Sequence, residues 1–418
     1  MSTKGVIIGS GKVGASILGD LDRTSALIAH GVAIADNIDL LQTVELYSVN
    51  DAEALGLDAE YDSTNAVRVH YHIREFFRFA GEGTKLFLML VDQSVSLSDM
   101  LEDVSSQYAK KLIVDAAGEI RQMAVAYNPA AGYVSTALDG LDDQVVAAIA
   151  KAQGLADWAQ ATFRPINVLL EGYSFNGTAA AAGDLRDLTD LKATHVSVVI
   201  GQDYDYAATQ DSIGQKHAAV GTALGCVAKV PVNGNIAEVE TMNLTDATTG
   251  DWLTAGVSSH VTSASMEAEW DTLDLKGYIF PIRYTGLDGV RWNDDHTCTP
   301  VEQDAQGNIN EHSISLGRTV NKAKRVLRQA LLPKVKSTQP VDPNTGKLPM
   351  TVIKYFEGIG EQALGRMEAN QEIVESRTVV DPNSDLLTPP KELLVDFEVV
   401  PFGHIGVIRG AVNLRKAL

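Results

Sequence analysis

At 418 residues the chain is longer than one ordinary core serves, so two or three domains are expected. Hydrophobic residues make up 45% and charged residues 21%, the balance of a globular chain and not of a disordered one. A net charge of −20 gives a surface that repels nucleic acid and anionic lipid, so neither partner is expected. The two cysteines, Cys226 and Cys298, form no framework and suggest a reducing compartment. The first residues lack the apolar core of a signal peptide, and no run reaches the roughly 18 apolar residues of a membrane span. The expectation is a soluble protein made in the cytosol.

Residues 6–8 read as a short strand, followed by Gly9, Gly11 and Gly14 in G-x-G-x-x-G spacing and a helical pattern through Ile17, Leu18, Leu21 and Leu27. Residues 32–36 offer a second strand, ending at Asp36. A dinucleotide site needs such parts: glycines for close backbone approach, a helix N-terminus for the pyrophosphate, an acid for the ribose. Gly19, Asp20, Asp22 and Arg23 interrupt the helix with turn chemistry, and no later segment supplies a catalytic His–Asp pair. Further on, 44–49 is a strand and Asp51 a cap for a short helix stopped by Gly56. Residues 68–80 form an amphipathic helix carrying Tyr71, Ile73, Phe76, Phe77 and Phe79, ended by Gly81 and Gly83. The run 85–91 is a strand buried on both faces. A helix over 98–108, strands at 111–118 and 123–129, a helix over 141–161, and strands at 166–172 and 195–201 complete an α/β series with parallel pairings. Residues 211–230 are helical, with small residues repeated so that another helix can approach; Cys226 among them packs as a small hydrophobe. Residues 233–271 are turn-rich, with short strands at 236–239 and 257–261.

Candidate chemistry is sparse. His70 and His72, two apart, do not share a helix face and read as a surface pair. Asp294, Asp295, His296 and Cys298 are metal-ligand types, but their spacing matches no closed site, so a polar loop is expected. Ser174 lacks the G-x-S-x-G elbow. Asp203, Asp205 and Asp211 read as a solvated acidic loop, and 341–346 as a tight turn. No enzyme, cofactor or metal is expected. A basic segment is more informative: residues 313–341 carry seven Lys or Arg and no acid. Val320, Ala323, Leu327 and Leu331 form an apolar stripe, with Arg318, Lys322, Lys324, Arg325 and Arg328 on other faces. These cations suit an acidic surface of a neighbouring subunit or partner. Residues 393–400 alternate apolar and acidic side chains as a half-exposed antiparallel strand does, and 405–414 read as a second apolar strand. A strand at a chain end can complete a neighbour's sheet.

Three stretches carry a resemblance: 43–91 (strand, glycine stop, Phe-rich helix, Gly-x-Gly, apolar strand), 195–233, and 271–335. In these the chain resembles the sheath proteins of contractile phage tails and related injection machines, most closely a branch found in Mu-like and Bacteroidetes phages. The resemblance implies a multi-domain α/β tail-sheath-like fold. It divides the chain into an N-terminal arm and first strand (1–24), an α/β outer domain with a mixed sheet (25–265), an α+β sheath core (266–392) and a C-terminal strand arm (393–418). It implies a structural subunit that stacks as six-membered rings around an inner tube, meets baseplate and tail-terminator proteins, belongs to a virion tail or injection particle, and contracts by a two-state rearrangement of interfaces. The portion of the arm at 1–5 is short for a sheath. Arg318, Lys322, Arg325 and Arg328 become candidates for a tube-facing or subunit contact. Ile405, Val407, Ile408, Val412 and Leu414 become candidates for the strand-exchange arm. The rivals are an NAD(P)-dependent oxidoreductase built on Gly9, Gly11, Gly14 and Asp36, and an adhesin-like or capsid component.

Overall fold

The structure, a computed structural model, describes residues 21–415 apart from 103, 105 and 413. The strand at 6–8, the Gly9, Gly11 and Gly14 loop and most of the N-terminal arm lie outside the described residues. The body is a seven-stranded sheet built from β1 (Ser25–His30), β2 (Thr43–Leu46), β3 (Leu86–Val91), β4 (Gln122–Ala126), β5 (Asn167–Glu171), β6 (Val196–Val199) and β7 (Tyr278–Ile279). Their order is β7-β6-β5-β4-β1-β3-β2, all neighbours parallel except β2, which runs antiparallel to β3 at one edge. Every residue of β1, β3, β4, β5 and β6 is buried. Successive side chains feed opposite cores: Ala26 and Ile28 join one, Leu27 and Ala29 the other. This is why the strands read as near-continuous apolar runs and not as alternating ones. Burying the six side chains of Leu86–Val91 contributes on the order of 10 kcal/mol gross.

Helices cover both faces. On one lie α1 (Val49–Ala54), α2 (Ala59–Asn65) and α3 (Val69–Ala80), the last packed on a glycine-bearing helix, Val220–Lys229. On the other lie α4 (Tyr108–Asp115) and α5 (Asp143–Ala161); the glycine-bearing helix is α6. The small residues of α6 act as the sequence indicates. A Cβ on Gly221 would stand 2.5 Å from the His72 carbonyl oxygen, and one on Gly225 2.7 Å from that of Phe76. Only glycine admits α3 this closely.

Several expectations shift. The helical pattern through Ile17 and Leu18 lies outside the described residues; where it continues to Leu27 the chain is instead a short turn, Leu21–Arg23, entering β1. Residues 32–36 are turns with one bridge, Ile34 to Ile38, and Asp36 sits there exposed at φ 68°. The strand expected at 111–118 is α4: its buried residues Ala109, Leu112 and Ile113 follow a spacing of three and one, and Lys111 pairs with Asp115 one turn on. The helix expected over 98–108 is a single turn, Leu97–Met100, and α4 starts afresh at Tyr108. Residues 236–239 form no strand, whereas Ala255–Val257 pairs with Val261–Thr262 and Gly201–Asp203.

The boundary expected at 265/266 falls inside this body. β7 pairs with β6, and Trp292 and Ile314 are buried in the same core as α3. α7 (Ile314–Leu331) runs out of this body: its first turns seal the body while its later turns pack on α8 (Met350–Ala369). Against α8 lies a two-stranded antiparallel hairpin, β8 (Glu375–Val380) with β9 (Val395–Val400). β9 alternates half-buried and exposed residues as expected, with Phe397 and Val399 turned onto α7 and α8. The chain beyond 400 has no regular secondary structure among the described residues.

Candidate functional site

The last third of the chain carries the features that point outward. α7 begins at Ser313, whose side chain accepts from the Leu316 amide. Its stripe is apolar because Ala323 and Leu327, with Val326 and Ala330, meet Ala363, Leu364 and Met367 of α8. Leu331 enters a second small core with Leu348, Val352 and Phe356. The basic residues between these positions have their partners within the chain. Arg318 is 4% exposed and donates from Nη1 to the carbonyls of Pro231 (3.0 Å) and Val230 (3.4 Å), and from Nη2 to that of Asp22 (3.4 Å). Arg325 donates to the Asp22 carboxylate at 2.8 Å. Lys322 bridges the same carboxylate to Glu372. Arg328 lays its guanidinium 3.3 Å from the centre of the Phe163 ring.

Asp22 is therefore a hub between the entry to β1, the middle of α7 and the turn after α8. Burial alone would lift its pKa. The hydrogen bond from Lys322 and the charges of Arg325 and Lys322 outweigh this and hold it below the ordinary carboxylate value. Burial lowers Arg318 to about 10 and lowers Arg325 also. The expected outward basic face thus turns inward at Arg318, Lys322 and Arg325. Of the four, Arg328 alone is exposed. Sequence reasoning missed Asp22 and Glu372, since each is one acid in an acidic chain. The only signal was turn chemistry around Asp22 ahead of an apolar strand.

The hairpin and tail form the second feature. Among the described residues β8 and β9 pair only with each other, so each keeps an outer edge of unpaired backbone groups. From β9 the chain runs out past His404, whose Nε2 lies 2.8 Å from the Asn233 carbonyl. Asn233 in turn donates to the Gln371 carbonyl at 3.1 Å. Beyond this tether Ile405, Val407, Ile408, Val412 and Leu414 are each at least 73% exposed. The second strand expected at 405–414 has no partner within the described chain, so it forms no ladder there. Residues 22, 230–233, 371–372 and 404 share one locus, so the entry to β1 and the base of the tail lie side by side.

The remaining candidates are structural in geometry. His72 is fully buried, correcting the surface pair; its Nδ1 accepts from the Gly221 amide at 3.3 Å where α6 closes on α3. Asp203, expected in a solvated loop, is buried and accepts from the amides of Trp252, Asp205 and Tyr206, capping the turn Tyr204–Ala208. Asp205 and Asp211 are exposed. Asp274, Asp294 and His296 bring ligand atoms within 4.8 Å of one another. Arg186 stands 2.6 Å from His296 Nδ1, which must accept from it, so Nε2 carries the proton and donates to Asp274 at 2.8 Å. That ring has no lone pair left for an ion. Asp295 is buried against the Ser315 amide, and Cys298 lies in the core beside β6.

A family model described as DUF2586, N-terminal domain, matches residues 13–296. A search of the curated proteins finds no matching sequence. Among solved structures the chain is similar to a chain of the anti-feeding prophage helical sheath in its contracted state, with TM-score 0.61, 14% identity and 99% of each chain covered. It is similar to a chain of the six-fold symmetrised baseplate of the same particle, with TM-score 0.58, 15% identity and 99% coverage of both. A third is a chain of the sheath complex of an extracellular contractile injection system, PVC, also contracted, with TM-score 0.55, 12% identity, and 100% of this chain and 98% of that one covered. The described residues share their fold with these structures.

Proposed function

We propose, from the premise that the chain belongs to the DUF2586 family and has the fold of contractile-sheath structures, that it is the structural subunit of a contractile sheath, polymerising with copies of itself around an inner tube and driving that tube forward when its packing changes. The observation that carries this reading is the hairpin β8–β9 with two open edges, beside a tail whose apolar side chains are covered by nothing among the described residues. Monomeric proteins seldom expose such a run. Ile405 and Val407, and Val412 and Leu414, stand two apart, the spacing of one face of a strand. A tail of this kind laid along a neighbour's hairpin satisfies the edge and buries the side chains together. Six subunits per ring, a baseplate contact, a place in a tail or injection particle and a tube-facing role for the exposed end of α7 around Arg328 extend the proposal by likeness to the sheath structures. The work would come from subunit interfaces switching between two packings, with no nucleotide consumed. The oxidoreductase alternative gains nothing: Asp36 is an exposed turn residue ahead of β2, not the end of a sheet strand.

The test is electron microscopy of the purified full chain beside a variant lacking residues 405–418. Striated tubes or stacked rings from the full chain, with a soluble truncation that melts at the same temperature and stays unassembled, are expected. Tubes formed equally by the truncation would refute the arm; discrete small oligomers that bind NADH would refute the sheath.

A further inference from the structure

β9 and the tail carry complementary patterns. On β9 and the residues leading into it, Leu393, Val395, Phe397 and Val399 are half-buried against the two small cores, while Glu392, Asp396, Glu398 and Val400 are exposed. Glu398 lies 3.6 Å from Arg377, with side chains 60% and 69% exposed. Residues 405–415 hold Arg409 and Arg415, both exposed, and no acid. Taken as a strand, the tail divides as β9 does: Ile408, Gly410, Val412 and Leu414 fall on one face, and Val407, Arg409, Ala411 and Arg415 on the other.

One antiparallel alignment matches both faces. With Arg409 opposite Glu398, the inner pairs are Ile408 with Val399, Gly410 with Phe397, Val412 with Val395 and Leu414 with Leu393. The outer pairs are Val407 with Val400, Ala411 with Asp396 and Arg415 with Glu392. Gly410 leaves room beside the Phe397 ring, and Asp396, diagonal to Arg409, stays within its reach. A slip of one residue turns Arg409 onto the apolar face; a slip of two sets Val407 or Ala411 against Glu398. The parallel alignment with Arg409 opposite Glu392 sets Ile408 against Lys391. The edge of β8 fits less well, since the cation Arg377 is exposed on it. We propose that the outer edge of β9 receives residues 407–415 of a second copy, antiparallel, with Arg409 facing Glu398 as the pair that fixes register and partner. This rests on the sheath reading and names the edge, direction and recognising charges that it leaves open. A chain's own tail reaches this alignment only by reversing at Gly403 and His404, whereas His404 is held at the Asn233 carbonyl, 2.8 Å away.

The purified full chain, Arg409→Glu, Glu398→Arg and the double variant are compared by sedimentation and electron microscopy across protein concentration. Each single change should raise the concentration needed for tubes roughly tenfold, and the double should return it close to wild type. Both positions are exposed, so melting temperatures should hold; the melt of Glu398→Arg also reads the lost contact with Arg377. As a second measurement, Glu398→Cys combined with Arg409→Cys is oxidised; the native Cys226 and Cys298 are buried and give no background. A ladder of linked chains on a non-reducing gel is expected, and none when Glu398→Cys is combined with Arg415→Cys. A double charge variant no better than the singles, or an equal ladder from the control, overturns the register. A link closed within one chain overturns the second copy as occupant. A wild type that forms no tubes at any concentration removes the sheath reading, and the proposal with it.

Discussion

Replacing Asp22 by Asn removes one charge and no volume, and isolates what the hub contributes. Asp22 takes direct bonds from Arg325 at 2.8 Å and from Lys322, with side-chain exposures of 22%, 18% and 16% for the three residues. Lys322 keeps Glu372, and Arg318 keeps the carbonyls of Val230, Pro231 and Asp22, which an asparagine also has. Arg325 is therefore the cation left without its ion partner. A charge-assisted hydrogen bond is worth about 1.5–3 kcal/mol, and breaking a buried pair costs about 3–5 kcal/mol. Partial exposure places D22N near 2–4 kcal/mol. At roughly 2 °C per kcal/mol for a chain of this size, the melting temperature should fall by about 4–8 °C. Thermal unfolding followed by circular dichroism reads this, with Arg325→Met and the double variant completing a cycle. The pH dependence fixes the sign. The folded pKa of Asp22 is depressed, so its contribution is present above the ordinary carboxylate range and is lost as pH falls through the folded value. The penalty of D22N should hold constant from neutral pH to about 5 and shrink below about 4. A shift under about 1 °C, or purely additive effects in the cycle, would show that the hub does not join body and hairpin.

Arg325 and Arg328 look alike in sequence, and their charge reversals should part. Arg325→Glu should melt several degrees lower, whereas Arg328→Glu, losing only a stack on Phe163 worth about 0.5–1 kcal/mol, should melt almost normally and show its effect, if the contact proposal holds, in assembly yield. Gly221→Ala should cost at least about 1–3 kcal/mol by overpacking, because its methyl would meet His72 backbone at 2.5 Å; an unchanged melt would mean that α3 and α6 can part freely. Glu171 is raised to about 7 by burial, so the stability it contributes is full below its unfolded value and lost as pH rises through about 7. The deficit of Glu171→Gln relative to wild type should accordingly narrow by about 3 kcal/mol from pH 4.5 to 7.5; a constant deficit in urea melts across that range would contradict it.

The parts of this protein legible in its sequence are those where one local pattern has one outcome. Unbroken apolar runs of four to six residues, at Leu86–Val91 or 123–126, suit a strand covered on both faces, and the alternation at Val395–Val400 suits a hairpin lying on a helix. Gly221 and Gly225, one turn apart, announced a helix contact without naming its partner. Where a short run fits two periods, as at Tyr108–Asp115, the sequence misled, since eight residues do not separate helix from strand. Sheath-like order along the chain was readable from three diffuse stretches. Which charges face outward was not. A basic stripe on α7 fits a partner surface as well as an internal acid, and only the fold brings Asp22, about 300 residues away in sequence, beneath Arg325. The same holds for Arg68, an ordinary arginine in sequence that the packing of α2, α3 and the loop at Gly214 buries with no hydrogen bond to Nε or Nη2 among the described residues. Local sequence sets the period of a segment and so its element. Burial and charge pairing depend on contacts between distant segments, and those exist only once the chain has closed on itself.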